Sequence, residues 1–288
     1  MRGRCISVLR LVPRDVRGRP ALRRSGSLFP RPQPEPHLLD AAIDVNPDVR
    51  RFCDNAPMNL LAIETATEAC SVALLHDGAL IDRTELAPRR HAELVLPMAE
   101  DLLADAGITR SQLDAIAVGQ GPGAFTGVRL AISVAQGLAL ALDLPVVPVS
   151  SLATLAMQAP KNGAAILAAI DARRQEIYAG AFRFNADDRV EAIDRERVLA
   201  ASALELPEAE AWNVLGTGWS AYGDVIREHL PSPPRWVDGD RYPQARDVAL
   251  LAAPLFAAGK GVPPEQALPV YLRDKVALTL EEQHDART

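Results

Sequence analysis

Residues 59–86 read NLLAIETATEACSVALLHDGALIDRTEL, and this stretch decides the fold. The apolar run at 60–65 is too short for a helix and reads as a buried strand. Ala69–His76 repeats that character, and Asp77-Gly78 follows it. This dipeptide suits a two-residue hairpin, because both central positions need positive φ. Ala79–Leu86 then returns as a third strand. Three short strands in succession predict an antiparallel meander.

Beyond it the period changes. Residues 91–106 carry Leu94, Val95, Met98, Leu102 and Ala106 at helical spacing, with Gly107 placed to end the helix. Ser111 is expected to cap a short turn, and Ala115–Gly119 reads as a buried strand. The loop GQGPGAFTG, a long helix over 128–142 and a strand at Val146–Val149 complete the half. The order β-β-β-α-β-α-β is that of a ribonuclease-H-like unit of the actin, Hsp70 and sugar-kinase type. The second half has strands near 164–170, Glu176–Phe184, 189–199 and 214–215 and a helix near 247–258. It reads as a shorter, less regular copy. The expected class is therefore α/β, with two ribonuclease-H-like subdomains whose mixed sheets are flanked by helices.

Charge and composition bound the rest. The chain has 288 residues, 48% of them hydrophobic, and a formal net charge of −6. Residues 1–57 hold eleven arginines against six acids, so the remainder is more acidic than the total suggests. Such a body is poorly suited to gripping a polyanion unaided. The same 57 residues contain PRPQPEP and no sustained period, and are expected to form a disordered extension or an upstream mis-assigned start. Subdomains are expected over 58–160 and 161–277, and a flexible tail over 278–288. No apolar run reaches the length of a membrane span; residues 128–144 are interrupted by Arg129, Gln136 and Asp143 and read as a buried or interface helix. Cys5, Cys53 and Cys70 are odd in number and lack the spacing of a metal clip, which fits a reducing compartment.

The most distinctive string is Gly119–Arg129, GQGPGAFTGVR. Glycines and a proline between strand and helix make a tight turn where backbone can approach a partner closely. The string matches neither GxGxxG nor GxxxxGK[ST]. As a plain turn it would use Thr126 as the helix cap. In the helix behind it Ala131, Ala135 and Ala139 recur every four residues, a narrow ridge suited to close helix packing against either the chain's own sheet or a second subunit.

The strings IETATEACSVAL (63–74), GQGPGAFTGVRLAISVAQGLAL (119–140), AAIDARRQEIY (168–178), GTGW (216–219) and PVYLR (269–273) together resemble the TsaB family, also called YeaZ. The resemblance covers about residues 58–277. It implies an actin-like pseudo-enzyme that pairs with its paralogue TsaD, which transfers threonylcarbamoyl to N6 of adenosine 37 in tRNAs reading ANN codons. It further implies TsaE as an ATPase partner, TsaC as supplier of the threonylcarbamoyl-adenylate, tRNA reached through the complex, a homodimer using a related surface, and a cytoplasmic location. The surface it implies comprises His91, Leu94 and Met98, then Gly121, Pro122, Gly123, Phe125, Thr126, Gly127 and Arg129, with Ala131 and Ala135 behind them.

The catalytic positions look eroded. The paralogue's metal site needs two histidines four apart on one helix; here they are His91 and Val95, so no metal is expected. HAELV is not the HExxH of a metallopeptidase, and proteolysis is rejected. His76, His229, His284 and His37 have no ligand partner at suitable spacing. Actin-like ATPases place an aspartate where Glu64 stands. Asp171 matches a second phosphate-loop aspartate but is followed by Ala172-Arg173-Arg174-Gln175 with no glycine. Glu64 and Asp171 therefore read as vestigial phosphate-loop positions. The chain is expected to carry no cofactor of its own, with ATP or ADP only at the TsaD seam. The contrasting reading is a stand-alone actin-like ATPase or small-molecule kinase.

Overall fold

The computed structural model describes residues 58–273. The basic extension, Cys5, Cys53, His37, His284 and the tail over 278–288 lie outside the described residues. The first sheet is built from β1 (Asn59–Glu64), β2 (Ala69–His76), β3 (Ala79–Leu86), β4 (Ala115–Gly119) and β5 (Val146–Val149), in the order β3-β2-β1-β4-β5. β1, β2 and β3 pair antiparallel, whereas β4 and β5 add in parallel. The hairpin expected at Asp77-Gly78 is present, with φ of 48° and 76°.

The second sheet repeats this plan. Its strands are β6 (Ala165–Arg173), β7 (Glu176–Phe184), β8 (Val190–Ala192), β9 (Arg197–Ala200), β10 (Trp212–Leu215) and β11 (Trp236–Asp238). The order is β11-β10-β6-β7-β8, with β9 also on β7. Antiparallel β6–β7–β8 and parallel β6–β10–β11 match the first sheet strand for strand. The expected α/β class with two ribonuclease-H-like sheets is the observed one.

The helices are α1 (His91–Asp105), α2 (Phe125–Leu142), α3 (Ser151–Ala156), α4 (Thr217–Glu228) and α5 (Ala245–Ala257). Helices cover the first sheet on both faces, which is why β1, β2 and β4 are continuously buried rather than alternating. On β1, Leu60 and Ala62 pack with α5, while Leu61 and Ile63 pack with α1 and α2. α3 lies between the sheets, with Leu152 and Leu155 against β6 and β7. A cut at 160/161 separates the two sheets, but α5 crosses back onto the first one.

Several boundaries differ from expectation. α2 begins at Phe125, three residues early, and Ala124 rather than Thr126 is its N-cap. The turn near 111 starts at Thr109, whose amide donates to Gln112 Oε1 at 2.9 Å; Ser111 lies inside it. The strand expected over 189–199 is broken into β8 and β9, because the intervening loop turns so that Glu196 reaches Ser150. Cys70 is a free, buried thiol within β2, pushed up to about 11 chiefly by burial.

Candidate functional site

The glycine loop docks on its own chain. A Cβ on Gly123 would stand 2.3 Å from Ala66 O, and one on Gly127 2.1 Å from Thr65 O. Ala124 N donates to Ala66 O at 2.7 Å, and Thr65 Oγ1 donates to Gly127 O at 2.8 Å. The close approach that the sequence signalled is therefore between this loop and the β1–β2 turn. Gly121 and Pro122 are likewise buried.

The helices present a different face from the one the spacing suggested. Ala131, Ala135 and Ala139 are fully buried against the sheet. On α1, Met98 is buried, and Leu94 packs against the same core. His91 is half-buried, with a ring nitrogen that has no partner among the described residues. The alanine ridge is thus an intramolecular contact, which corrects its placement on a partner surface. A helix tightly packed on a sheet needs small residues at the contact for the same reason a helix dimer does.

The exposed sides of α1 and α2 set a few large apolar residues among polar and acidic ones. Leu96 on α1 is 44% exposed, Phe125 50% and Leu140 on α2 65%. Thr126, Arg129, Ser133 and Gly137 share the outward side of α2. The Arg129 guanidinium lies 3.7 Å over the Phe125 ring, and its Nε donates to Tyr271 Oη at 2.6 Å. Tyr271 is 48% exposed and its ring centroid is 5.9 Å from that of Phe125. An arginine held between two aromatic rings is a rigid, amphipathic surface of the kind that anchors protein contacts. Tyr271 arrives there because Val270 N bonds Gln120 O at 2.8 Å, pinning the C-terminal strap to the glycine loop. The sequence marked PVYLR but assigned Tyr271 no contact; nothing in it set Leu96 on α1 or Leu140 on α2 apart from the other apolar positions of their helices.

Beside this surface is a cleft of about 250 Å³, lined by the Ala66–Glu68 turn, the β6–β7 hairpin and the strap. Asp171 lines it, but its oxygens are taken. Oδ1 accepts from Arg173 N at 2.8 Å and Tyr222 Oη at 3.2 Å, and Oδ2 accepts from the Arg173 guanidinium at 3.0 Å. Arg173 also reaches Glu68 at 3.2 Å, and Arg273 bonds Ala172 O and Glu176. Glu64 does not face the cleft. It is fully buried, with Oε1 accepting from Ala66 N and Oε2 from Ser151 Oγ, each at 2.7 Å. Burial pushes its carboxyl above the usual range, against the pull of those bonds. These residues do not fit a magnesium-nucleotide: one carboxylate is sealed away, the other is neutralised by an arginine, and the hairpin tip has no glycine. Among the described residues no cluster of three or more His, Cys, Asp or Glu could hold a metal ion.

A family model described as "TsaD: tRNA N6-adenosine threonylcarbamoyltransferase" matches residues 84–225. The chain is 43% identical over 228 residues to the tRNA threonylcarbamoyladenosine biosynthesis protein TsaB of Escherichia coli, covering 76% of this chain and 96% of that one. It is 32% identical to the Bacillus subtilis protein of the same name, covering 56% and 71%. Among solved structures it is similar to YeaZ from Pseudomonas aeruginosa, with 47% identity, a TM-score of 0.69, and coverage of 75% of this chain and 100% of that one.

Proposed function

The chain belongs to the TsaB family, and on that premise we propose that it is the non-catalytic subunit that pairs with TsaD and activates it for threonylcarbamoyl transfer to adenosine 37 of tRNAs reading ANN codons. The observation that carries this reading is a pairing of opposites. The carboxylates Glu64 and Asp171 are closed off from chemistry, while Leu140 on α2 and Arg129, held between Phe125 and Tyr271, stand open. Catalysis then belongs to TsaD. TsaE joins the pair, TsaC supplies the activated threonylcarbamoyl group, and tRNA is held by the assembly in the cytoplasm. In the absence of TsaD the same surface accommodates a second copy.

A nucleotide at the TsaD seam would have its phosphates and metal held by the partner, since Glu64 and Asp171 are engaged within this chain. The contrasting reading, a stand-alone actin-like ATPase or kinase, meets the same obstacle. Reconstitution of threonylcarbamoylation from purified TsaC, TsaD and TsaE, with and without the full chain, tests the proposal. Product is expected only when the chain is present; equal yield without it refutes the activating role.

A further inference from the structure

The string PVYLR at 269–273 runs from one half of the molecule to the other. One half, or lobe, is the first sheet with α1, α2 and α5; the other is the second sheet with α4. On the first lobe Ala267 is fully buried in the core shared by α1 and α2, and its carbonyl accepts from Gln136 Nε2 at 3.1 Å. Val270 N then donates to Gln120 O, and Tyr271 Oη accepts from Arg129 Nε. Gly121 makes room for the crossing: it has φ 93°, and a Cβ there would stand 3.3 Å from Val270 O. Two residues after Tyr271 the chain is on the second lobe. Arg273 donates to Ala172 O at 2.9 Å, and its guanidinium pairs with the Glu176 carboxylate.

The lobes are packed together at their base. Ser151 Oγ donates to Glu64 on the first sheet, and the adjacent Ser150 Oγ donates to Glu196 on the second lobe. Phe184 and Val190 of the second lobe pack against the core that holds α5. At the mouth they are parted by the cleft of about 250 Å³. Arg173 meets Glu68 across it at 3.2 Å, but both side chains are largely exposed, and such a pair is worth little in water. The Arg273 tie is partly buried and is reinforced by the Ala172 carbonyl, the stronger arrangement. Beyond Ala267 no residue of the strap up to Arg273 is buried. Its hold therefore rests on these polar contacts, which can break without opening a core.

We propose that residues 267–273 are a clasp that sets the angle between the two lobes, and that its closure places Tyr271 on Arg129 to complete the surface offered to TsaD; the second part rests on the function proposed above. Two lobes joined at a packed base can hinge, and proteins of that build are commonly held shut by a ligand across the mouth. Here a segment of the chain itself spans the mouth, anchored on one side at Gln120 and on the other at Ala172 and Glu176. Tyr271 lies between those anchors. Loss of the Arg273 tie thus frees the mouth and, with it, the ring that Arg129 meets.

The angle is read in the full chain by pulsed electron resonance between spin labels at Leu86→Cys and Asp224→Cys. Leu86 pairs with Ala69, next to Glu68 at the mouth, and Asp224 is on α4; both are exposed. Cys5 and Cys53 are replaced by serine, and Cys70 stays because it is buried. The wild type is expected to give one narrow distance. Arg273→Ala and Glu176→Ala should each broaden the distribution roughly twofold, whereas Glu68→Gln, which removes only the exposed pair, should leave it narrow. Association with TsaD, measured by sedimentation on unlabelled chains, should weaken roughly tenfold in Arg273→Ala. Wild-type distances in both clasp variants overturn the clasp, as does a Glu68→Gln variant that broadens as far as they do. Broadened distances with unchanged TsaD affinity overturn the link between clasp and surface. A wild-type chain that does not associate with TsaD overturns that link together with the proposed function, while the spin-label distances still decide the clasp.

Discussion

The Glu64 carboxylate accepts the Ser151 hydroxyl at 2.7 Å, and both residues are fully buried. This bond ties the end of β1 to the start of α3, and Gly119 is the neighbour that makes room for it: a Cβ there would fall 2.0 Å from Glu64 Oε2. A position that could face a metal in a catalytic relative is here part of the packing between strands and helix.

Glu64→Gln should therefore leave the fold intact, because an amide can accept from one partner and engage the other. Glu64→Ala should cost about 2–4 kcal/mol, since it orphans a buried amide and a buried hydroxyl. Urea melts of both variants check the ordering; equal stability of the two would show that the bonds contribute nothing.

Asp247 gives the stability a pH dependence. It is buried at the start of α5, and burial raises its carboxyl to about 7, with Asp82 adding to the rise and Arg246, Gln158 and Arg241 opposing it. Asp247 Oδ2 and Gln158 Oε1 are both buried acceptors without partners. Because the folded-state value lies above the ordinary carboxylate value of about 3.9, the neutral form is the favoured one. Stability is fully present below pH 4 and is lost as pH rises through 7, by an amount on the order of a few kcal/mol. Glu64 and Glu196 are shifted in the same direction by burial. Asp247→Asn should raise Tm at pH 8 and flatten its decline between pH 5 and 8; an unchanged pH profile would count against this assignment.

Two glycines of the same helix should respond oppositely. Gly127→Ala forces a methyl to within 2.1 Å of Thr65 O and should destabilise by several kcal/mol. Gly137 has open space around its Cβ position, so Gly137→Ala should gain about 1 kcal/mol of helix stability. Thermal melts of the isolated chain decide this, and a Gly127→Ala variant as stable as the wild type would contradict the docked loop.

The alanine ridge makes a related prediction. Ala135 is fully buried, so Ala135→Glu should unfold the chain rather than merely prevent pairing. A folded variant by circular dichroism would contradict the inward placement.

The sequence carried the parts of the fold that are locally encoded. Asp77-Gly78, the period of α1 and the apolar runs of β1, β2 and β4 each mark an element without help from the rest of the chain. The second sheet was harder to read. α3 has six residues, too few to show a period, and α4 contains Gly218, Gly223 and a kink at Tyr222 (φ −139°). The break between β8 and β9 follows from the contact of Glu196 with Ser150, 46 positions away. The glycine loop stands out in the sequence as a point of close backbone approach, but its contact within the chain, the Thr65–Ala66 backbone, is a matter of tertiary placement. The outward face of α2 was illegible for another reason: with apolar residues on every side, its sequence does not say which stripe meets the sheet.

The most direct test of the account is the association of the full chain with TsaD, measured by sedimentation, for wild type and for Leu140→Glu. Leu140 is exposed and supports no core, so the variant should keep the wild-type Tm within about 1 °C. If the outward face of α2 is the docking surface, the substitution should weaken pairing by roughly 100-fold or more, as expected for a charge left desolvated in a helix contact. A variant that sediments with TsaD as tightly as the wild type would contradict the account.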